Sequence, residues 1–243
     1  MLAHMKPMPA EITLMPTASS AAGIPRYLAR TYHWAYLDRR TLPWLDREWV
    51  VSAILWGNAR RLMASAVTEF RPGESLLQAA CVYGPFSRLL AEQVGPSGAL
   101  EVVDVAPIQV ANATRKLAGL SNAVVRQGDL AARDCLASEA YQSVCCFFLL
   151  HEVPAVERAC IVDNLLAAVQ PGGKIVFVDY HRMRPWHPLR PVMALVFNWL
   201  EPFATSLLDA DIRKLSPRGN DFEWTKTTCF GGLYQKLVGV RRA

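Results

Sequence analysis

The feature that most constrains the fold of this chain is a regular alternation of short apolar runs with helical segments, which begins near Glu74. Seven runs typical of β-strands lie at 75–80, 99–103, 123–126, 143–149, 174–179, 222–229 and 233–240. Helical patterns at 85–94, from Pro107 onward and at 154–169 follow the first, second and fourth of these runs. Strands that alternate with helices of this length form a parallel sheet with helices on both faces. We therefore expect an α/β, Rossmann-like fold with a seven-stranded, mostly parallel sheet.

Two apolar segments lie outside this alternation and predict helical additions to the sheet. Residues 25–70 are rich in Tyr and Trp and form an expected N-terminal cap, in which a helix from Leu45 onward has two apolar faces. Such a helix must bury both faces or present one to a ligand or a membrane. A second helical insertion is predicted near 188–214. The chain is thereby divided into a flexible tail (1–24), the cap and a Rossmann-like domain (71–243).

The charge and the apolar content argue against several classes of protein. The net charge is +5, but no run of Lys and Arg exceeds two residues, and we predict no nucleic-acid partner. The longest apolar stretch, Pro191–Leu208, contains Asn198, Glu201 and Pro202 and is shorter than the ~20 residues of a membrane-spanning helix. Six cysteines without a CxxC pair, and no secretory signal, indicate a reducing, cytoplasmic location.

Polar residues follow three strands at the edge where a parallel sheet binds nucleotides. The first strand leads into the loop Gln78–Gly84, and the second ends at Asp104. A carboxylate in that second position accepts hydrogen bonds from ribose hydroxyls. After the third strand, Gly128–Asp129 brings an acid to the expected position of an adenine amino group.

These residues, together with the segments 149–154 and 169–174, resemble the class I S-adenosylmethionine-dependent methyltransferases. The resemblance implies S-adenosylmethionine as the cofactor. The binding residues expected from it are Gln78, Tyr83, Gly84, Asp104 and Asp129. The chain departs from the family in the first loop, where an acid and three glycines are replaced by Gln78, Ala80, Val82 and Gly84. Since Val82 resists a positive φ, we do not expect this loop to follow the usual backbone path freely.

Eight further strings extend from about Ile24 to Val240 and are specific as a set. They include ACVYG at 80–84, FFLLHE at 147–152, VDYHR at 178–182 and FGGLYQK at 230–236. Together they resemble the rhodoquinone-biosynthesis (RquA-type) branch of the same superfamily. That resemblance implies conversion of ubiquinone to rhodoquinone, in which an amino group replaces a methoxy group of the ring. It also implies S-adenosylmethionine as the nitrogen source and a divalent metal such as Mn²⁺.

Carboxylates and imidazoles lie at the ends of the fourth and fifth strands. His151 and Glu152 follow the fourth strand, while Asp179 and His181 end or follow the fifth. Such donors suit Mn²⁺ and similar ions, which polarise a quinone oxygen. The expected catalytic residues are His151, Glu152 and His181. The expected metal ligands are Asp179, His181 and His151, and His187 either joins them or starts a turn.

Gln78 occupies the position where the family has an acid, and we interpret this change chemically. Amination of a quinone requires a neutral nitrogen nucleophile. A carboxylate beside the ammonium group of the cofactor favours the charged form, which is not nucleophilic. Gln78 removes the negative charge and keeps the capacity to form hydrogen bonds. Drift in a binding loop remains the alternative explanation.

Two other functions remain open. An ordinary methyltransferase acting on a quinone, a phenol or a lipid has the same fold, and so has a non-catalytic protein that binds a quinone or the cofactor. Ubiquinone resides in the bilayer, so the amination hypothesis also predicts peripheral association with the inner membrane. The expected lipid contacts include Trp56 and Phe197, in the two apolar segments. The sequence does not predict the oligomeric state.

Overall fold

The computed structural model describes residues 23–32 and 40–243, and within them a seven-stranded sheet. The strands are β1 (Ser75–Ala79), β2 (Ala99–Asp104), β3 (Ala123–Gln127), β4 (Tyr141–Phe147), β5 (Val169–Tyr180), β6 (Phe222–Cys229) and β7 (Tyr234–Arg241). Their order is β3-β2-β1-β4-β5-β7-β6. Strands β1 to β5 pair in parallel, and β7 runs antiparallel between β5 and β6. The predicted α/β fold with a mostly parallel, seven-stranded sheet is confirmed.

Helices cover both faces of this sheet, because successive residues of a strand point to opposite sides. The helices are α1 (Arg26–Thr31), α2 (Leu42–Leu45), α3 (Glu48–Ile54), α4 (Ala59–Val67), α5 (Phe86–Val94), α6 (Pro107–Leu117), α7 (Ala155–Ala168), α8 (Arg190–Trp199) and α9 (Ala204–Leu208). Leu76 and Cys145 face the core formed with α4, α5 and α8. Leu77 and Cys146 face the core formed with α7. The two adjacent cysteines are therefore buried as free thiols on opposite faces.

The N-terminal cap differs from the single helix expected from Leu45 onward. The chain there forms the short helices α2, α3 and α4. Trp56 and Gly57 both adopt positive φ angles, of 51° and 77°, which end α3 and turn the chain before α4. Glycine accepts this conformation without strain and marks the break, although the apolar periodicity continues across it.

Strands β4 and β5 also differ from their predicted bounds, and the first difference positions the site. β4 ends at Phe147, because Phe148 has a φ of 53° and turns the chain into a 3-10 turn at Leu150–Glu152. β5 begins at Val169, before the predicted turn, and its pairing with β4 shifts register across Pro171–Gly173. The 3-10 turn places His151 at the carboxyl edge of the sheet.

Helix α8 ends at Trp199, close to the polar interruption seen in the sequence, and α9 follows after Pro202. Among the described residues, no helix is both long and apolar enough to cross a bilayer. The division into tail, cap and domain stays a prediction, and residues 1–22 of the tail lie outside the described part.

Candidate active site

A cavity of about 350 Å³ lies at the carboxyl edge of the sheet. Its sheet side is lined by strand-end residues that include Cys81, Tyr83, Asp104, Asp129, His151 and Glu152. Its other side is lined by residues of the cap and the insertion that include Tyr32, Leu55, Trp56, Met193, Leu200 and Glu201. The cavity therefore lies between the carboxyl edge of the parallel strands and the two helical additions.

The loop after β1 keeps a left-handed turn although it lacks most of the family's glycines. Ala80 has a φ of 66° and Gly84 a φ of 80°, whereas Val82 is outside the positive-φ region. Val82 thus keeps the negative φ expected of a β-branched residue, and the left-handed positions of the loop are Ala80 and Gly84. The strain falls on Ala80, since a left-handed conformation costs an L-residue about 1–2 kcal/mol.

Gln78 lies beneath this loop and does not line the cavity. Its side chain is fully buried, and its Nε2 donates a hydrogen bond of 2.9 Å to the Ala80 carbonyl oxygen. Its Oε1 has no hydrogen-bond partner among the described residues. Gln78 thus supports the strained turn directly, and its contact with a cofactor stays a prediction.

Asp104 and Asp129, the two predicted acids, both line the cavity. Asp104 Oδ2 accepts a hydrogen bond from Cys81 N, and Oδ1 accepts one from Ala106 N, both at 2.7 Å. Burial raises the pKa of Asp104 to about 6, although these two donors act in the opposite direction. Asp129 Oδ1 accepts from Ala131 N at 2.9 Å. Asp104 therefore fixes the loop after β1 and also faces the cavity.

Asp46, in the cap, fixes the far end of the same loop and was not singled out from the sequence. Its Oδ1 accepts hydrogen bonds from Gly84 N at 2.8 Å and from Lys116 Nζ at 2.7 Å. Its Oδ2 accepts from Asn112 Nδ2 at 3.1 Å, and Lys116 also reaches the Val82 carbonyl oxygen. The cap and helix α6 thereby hold a loop that has few glycines of its own.

His151 is the most constrained polar side chain of the cavity. It is buried, and its Nδ1 lies 2.8 Å from Asp179 Oδ1. Asp179 is fixed in turn by the backbone N–H groups of Leu150 and Tyr180. Burial lowers the pKa of His151, but Asp179 and then the nearby glutamates outweigh it and raise the pKa to about 9. Asp179 thus orients the imidazole, so that Nε2 faces the cavity.

Two glutamates face that second nitrogen. His151 Nε2 lies 3.6 Å from Glu152 Oε1 and 3.9 Å from Glu201 Oε2. One potential ligand atom from each of these three residues lies within 4.8 Å of the other two. Glu201 also accepts a hydrogen bond of 2.7 Å from the Tyr32 hydroxyl, and burial raises the pKa of Glu201. Its position C-terminal to α8, beyond the strand pattern, gave no signal that it would meet His151.

The predicted metal ligands are only partly brought together. Asp179 contacts His151, but its carboxylate also accepts hydrogen bonds from backbone N–H groups. It therefore orients the imidazole from the Nδ1 side. His181 does not line the cavity; its Nδ1 lies 3.0 Å from the Gly232 carbonyl oxygen, and burial lowers its pKa. His187 contacts the Phe230 carbonyl oxygen through Nε2 and Leu189 N through Nδ1. His181 and His187 thus bind the backbone of neighbouring segments, and the described site contains His151, Glu152 and Glu201 instead.

Aromatic rings form the wall next to His151. The centroid of the imidazole lies 4.8 Å from that of Tyr180 and 5.9 Å from that of Phe148, both in edge-to-face geometry. Tyr180 and Phe148 also contact each other, at 5.3 Å. Flat rings in such a wall suit a planar ligand, because aromatic pairs favour offset or edge-to-face contacts.

Comparison with known proteins agrees with this architecture. Residues 76–173, less than half of the chain, match the family model described as "Methyltransferase domain". No curated protein sequence matches the chain.

Several solved structures share the fold. An O-methyltransferase family protein from Burkholderia thailandensis superposes with a TM-score of 0.59 at 15% identity, over 80% of this chain and 57% of that one. A SAM-dependent methyltransferase from Aquifex aeolicus gives 0.54 at 17% identity, over 84% and 98%. The N-methyltransferase NodS from Bradyrhizobium japonicum WM9, in complex with S-adenosyl-L-homocysteine, gives 0.51 at 14%, over 76% and 85%. This chain spans little more than half of the first of these proteins.

The chain therefore has the class I methyltransferase fold, and its residues 76–173 match the methyltransferase domain model. At identities this low the solved structures define the fold alone, and a fold does not determine the reaction.

Proposed function

We propose that this protein is an S-adenosylmethionine-dependent transferase that converts ubiquinone to rhodoquinone by replacing a ring methoxy group with an amino group. One observation carries the proposal. A single cavity joins the cofactor-side acids to an aromatic-walled pocket that contains a buried histidine and two glutamates. The cofactor loop in that cavity has Gln78 beneath it, where the family has an acid.

The cofactor half of the proposal rests on the strand-end residues. Asp104 faces the cavity at the end of β2 and would accept hydrogen bonds from the ribose hydroxyls. Asp129 lies after β3, on the side expected for adenine. The methyltransferase domain match supports the cofactor, and so does the solved NodS complex, which contains S-adenosyl-L-homocysteine.

The substrate half rests on the aromatic wall and on the apolar part of the cavity beside it. Phe148 and Tyr180 line the cavity next to His151 and would contact a planar quinone there. Leu55, Met193 and Val196 line the adjoining part of the cavity, where an isoprenoid tail would lie. Attack of the cofactor's amino nitrogen on an electron-poor ring carbon requires that the nitrogen be neutral, and methoxide would leave as methanol. Release of the amino group would then require cleavage of the cofactor's Cα–N bond: tautomerisation to an imine, with the quinone ring as the two-electron acceptor, and hydrolysis would give the aminoquinol and the keto acid of the cofactor. A buried amide at Gln78 adds no negative charge that would keep that nitrogen protonated.

The donors at His151, Glu152 and Glu201 fit a divalent metal. One imidazole and two carboxylates match the preference of Mn²⁺, and Asp179 leaves Nε2 of His151 directed into the cavity. We propose these three residues as the ligands in place of the set predicted from the sequence. Such an ion would polarise a quinone oxygen and make the ring carbon more electrophilic.

The test is to incubate purified protein with ubiquinone, S-adenosylmethionine and Mn²⁺, and to identify the quinone product by mass. We expect the amino-substituted quinone. If the amino nitrogen of the cofactor is labelled with ¹⁵N, the product should carry the label. A label that enters only from ammonia or glutamine would exclude the proposed nitrogen source.

Ordinary methyl transfer is the second candidate, and the methyltransferase domain match favours it. It predicts a product heavier by one methylene group and demethylated cofactor in equal amount. A protein that binds a quinone or the cofactor without catalysis, the third candidate, predicts binding with no product of either mass.

A further inference from the structure

Large apolar side chains on or directly after α2, α3 and α8 are exposed to solvent, and three of them, Ile54, Trp56 and Leu200, also line the cavity. We call this set the apolar rim. It consists of Trp44, Trp49, Ile54, Trp56, Val192, Leu195, Trp199 and Leu200. The exposed fraction reaches 79% for Trp199 and 60% for Leu195. Exposed apolar side chains in this number mark an interaction site.

Helix α8 is apolar on both of its sides, which a helix facing water is not. Met193 and Phe197 point inward and are buried against the core. Val192, Leu195 and Trp199, at spacings of three and four residues, form the outward row. The sequence-based expectation that Phe197 contacts lipid is therefore wrong, because its side chain is only 3% exposed. The outward row of the same helix takes that place.

The apolar rim continues into the cavity. Ile54, Trp56 and Leu200 belong to the rim and also line the cavity wall. The rim segments meet at this point, where Trp56 Nε1 lies 3.3 Å from Met193 Sδ. The cavity wall between the end of α3 and α8 is thus apolar and is continuous with the rim at Ile54, Trp56 and Leu200.

Basic side chains flank α8 at its N-terminal end. Arg184 and Arg190 are exposed, and within the described residues neither forms an ion pair with a carboxylate. The Arg184 guanidinium lies 5.9 Å from the ring centroid of Trp186, which is 76% exposed. Tryptophan beside arginine at the border of an apolar surface matches the boundary between acyl chains and anionic headgroups.

From these observations we propose that the apolar rim docks on an anionic lipid bilayer, and that a lipid-soluble substrate passes directly from the bilayer between α3 and α8 into the cavity. The identity of that substrate rests on the proposed function, whereas docking of the rim does not. The charge of the flanking arginines favours a lipid surface over a second copy of this chain, whose rim would carry the same positive charges.

The first test measures co-sedimentation with vesicles of phosphatidylcholine containing phosphatidylglycerol. Replacing Leu195 and Trp199 together by Ser should weaken binding about tenfold or more, since each side chain loses its burial in lipid. The matched control is Val156→Ser, because Val156 is 74% exposed on α7, which packs against the opposite face of the sheet. The control should bind like the unaltered protein, and all variants should bind S-adenosylmethionine equally.

A second variant separates charge from apolar contact. Arg184→Gln combined with Arg190→Gln should weaken binding to the anionic vesicles and leave the weaker binding to pure phosphatidylcholine unchanged. Unaltered vesicle binding by the Leu195→Ser, Trp199→Ser variant would overturn the proposal. The proposal would also be overturned if sedimentation velocity showed a dimer of the unaltered protein that the Leu195→Ser, Trp199→Ser variant dissociates, while vesicles bound neither protein. Vesicle binding without any aminated quinone would leave docking intact and count against the proposed reaction alone.

Discussion

The two sides of the cavity differ in the distance along the chain between the residues that build them. On the sheet side, Asp104 binds Ala106 N two residues away and Cys81 N 23 residues away. On the helical side, the Tyr32 hydroxyl reaches Glu201 across 169 residues. The sheet side therefore follows from a repeated local pattern, whereas the helical side exists only after the whole chain has folded. The sheet side is common to the fold, and the helical side is where the chemistry of this protein would be specified.

The largest expected effect tests the helical side. Glu201→Gln keeps the shape and the contact with Tyr32 but removes a charge next to His151 Nε2. We expect turnover of ubiquinone to fall about 100-fold or more, because the loss of a proposed ligand should cost at least as much as the ~10–100-fold typical for residues that only orient a ligand. Affinity for Mn²⁺, measured by electron paramagnetic resonance, should fall as well.

Glu152→Gln is the matched variant on the sheet side, since Glu152 lies at a similar distance from the same nitrogen. Equal losses in both variants would indicate that the two sides contribute ligands alike. A Glu201→Gln variant with full turnover and unchanged Mn²⁺ affinity would remove the helical side from the site.

The second prediction concerns the sheet side alone. Asp104→Ala removes the hydrogen bonds to the ribose hydroxyls and the anchor of Cys81 N. Affinity for S-adenosylmethionine should fall by about 1.5–3 kcal/mol, the range for hydrogen bonds to a charged group. Calorimetric titration measures this, and vesicle binding serves as the control for folding of the helical side. An unchanged affinity would contradict the cofactor assignment.

The third prediction joins the two sides through the loop. Gln78→Glu introduces a negative charge beneath the cofactor, which should raise the pKa of the cofactor amino group by about one unit and slow amination about tenfold below neutral pH. The carboxylate also replaces the donor to the Ala80 carbonyl oxygen, so thermal stability has to be measured alongside. Gln78→Met removes the donor without adding charge and separates the two effects. Equal turnover at every pH would show that the missing acid has no catalytic role.

The sequence predicts the sheet side well and the helical side poorly, for a physical reason. The bounds of β1, β2 and β3 follow from runs of apolar residues, and Asp104 and Asp129 lie at strand ends that any parallel sheet brings together. Glu201, Asp46 and Tyr32 lie in segments whose periodicity gives helices but not their packing. On the sheet side the sequence does not predict the contact of His181, because its hydrogen bond with the Gly232 carbonyl oxygen depends on where β7 starts.

The fourth prediction uses the titration of Asp104. Burial raises its pKa to about 6, above the ordinary value of about 3.9, so the folded protein binds the proton more tightly than the unfolded chain. Its contribution to stability is therefore greatest below pH 4 and is lost as the pH rises through 6. Cofactor binding needs the ionised carboxylate of Asp104. The affinity for S-adenosylmethionine should therefore decrease as the pH falls, by about fourfold at pH 5.5 relative to neutral pH.

Two slopes are measured, the pH dependence of stability and the pH dependence of cofactor affinity. Each is taken as a difference from Asp104→Ala, which removes the contribution of this group and leaves those of the other carboxylates. Chemical denaturation gives the first slope and calorimetry gives the second. Parallel slopes, or slopes that persist in Asp104→Ala, would contradict the assignment of this titration to Asp104.

The smallest expected effect is on the strained turn of the sheet side. Ala80→Gly relieves a left-handed conformation that costs an L-residue about 1–2 kcal/mol. The greater conformational freedom of glycine in the unfolded chain lowers the free energy of unfolding by about 0.5–1 kcal/mol, which offsets part of this gain. We expect a net gain of about 0.5 kcal/mol in the free energy of unfolding, with cofactor affinity unchanged within about twofold.

The matched control is Ala79→Gly, one residue earlier in β1, where the side chain is fully buried and φ is negative. That variant loses a packed methyl group and should be less stable by about 1 kcal/mol. Opposite signs for these neighbours would show that the chain keeps the family's turn with alanine in place of glycine. A loss of stability in both would mean that the loop after β1 is not left-handed at Ala80 and that the sheet side departs from the family in its backbone as well as in its sequence.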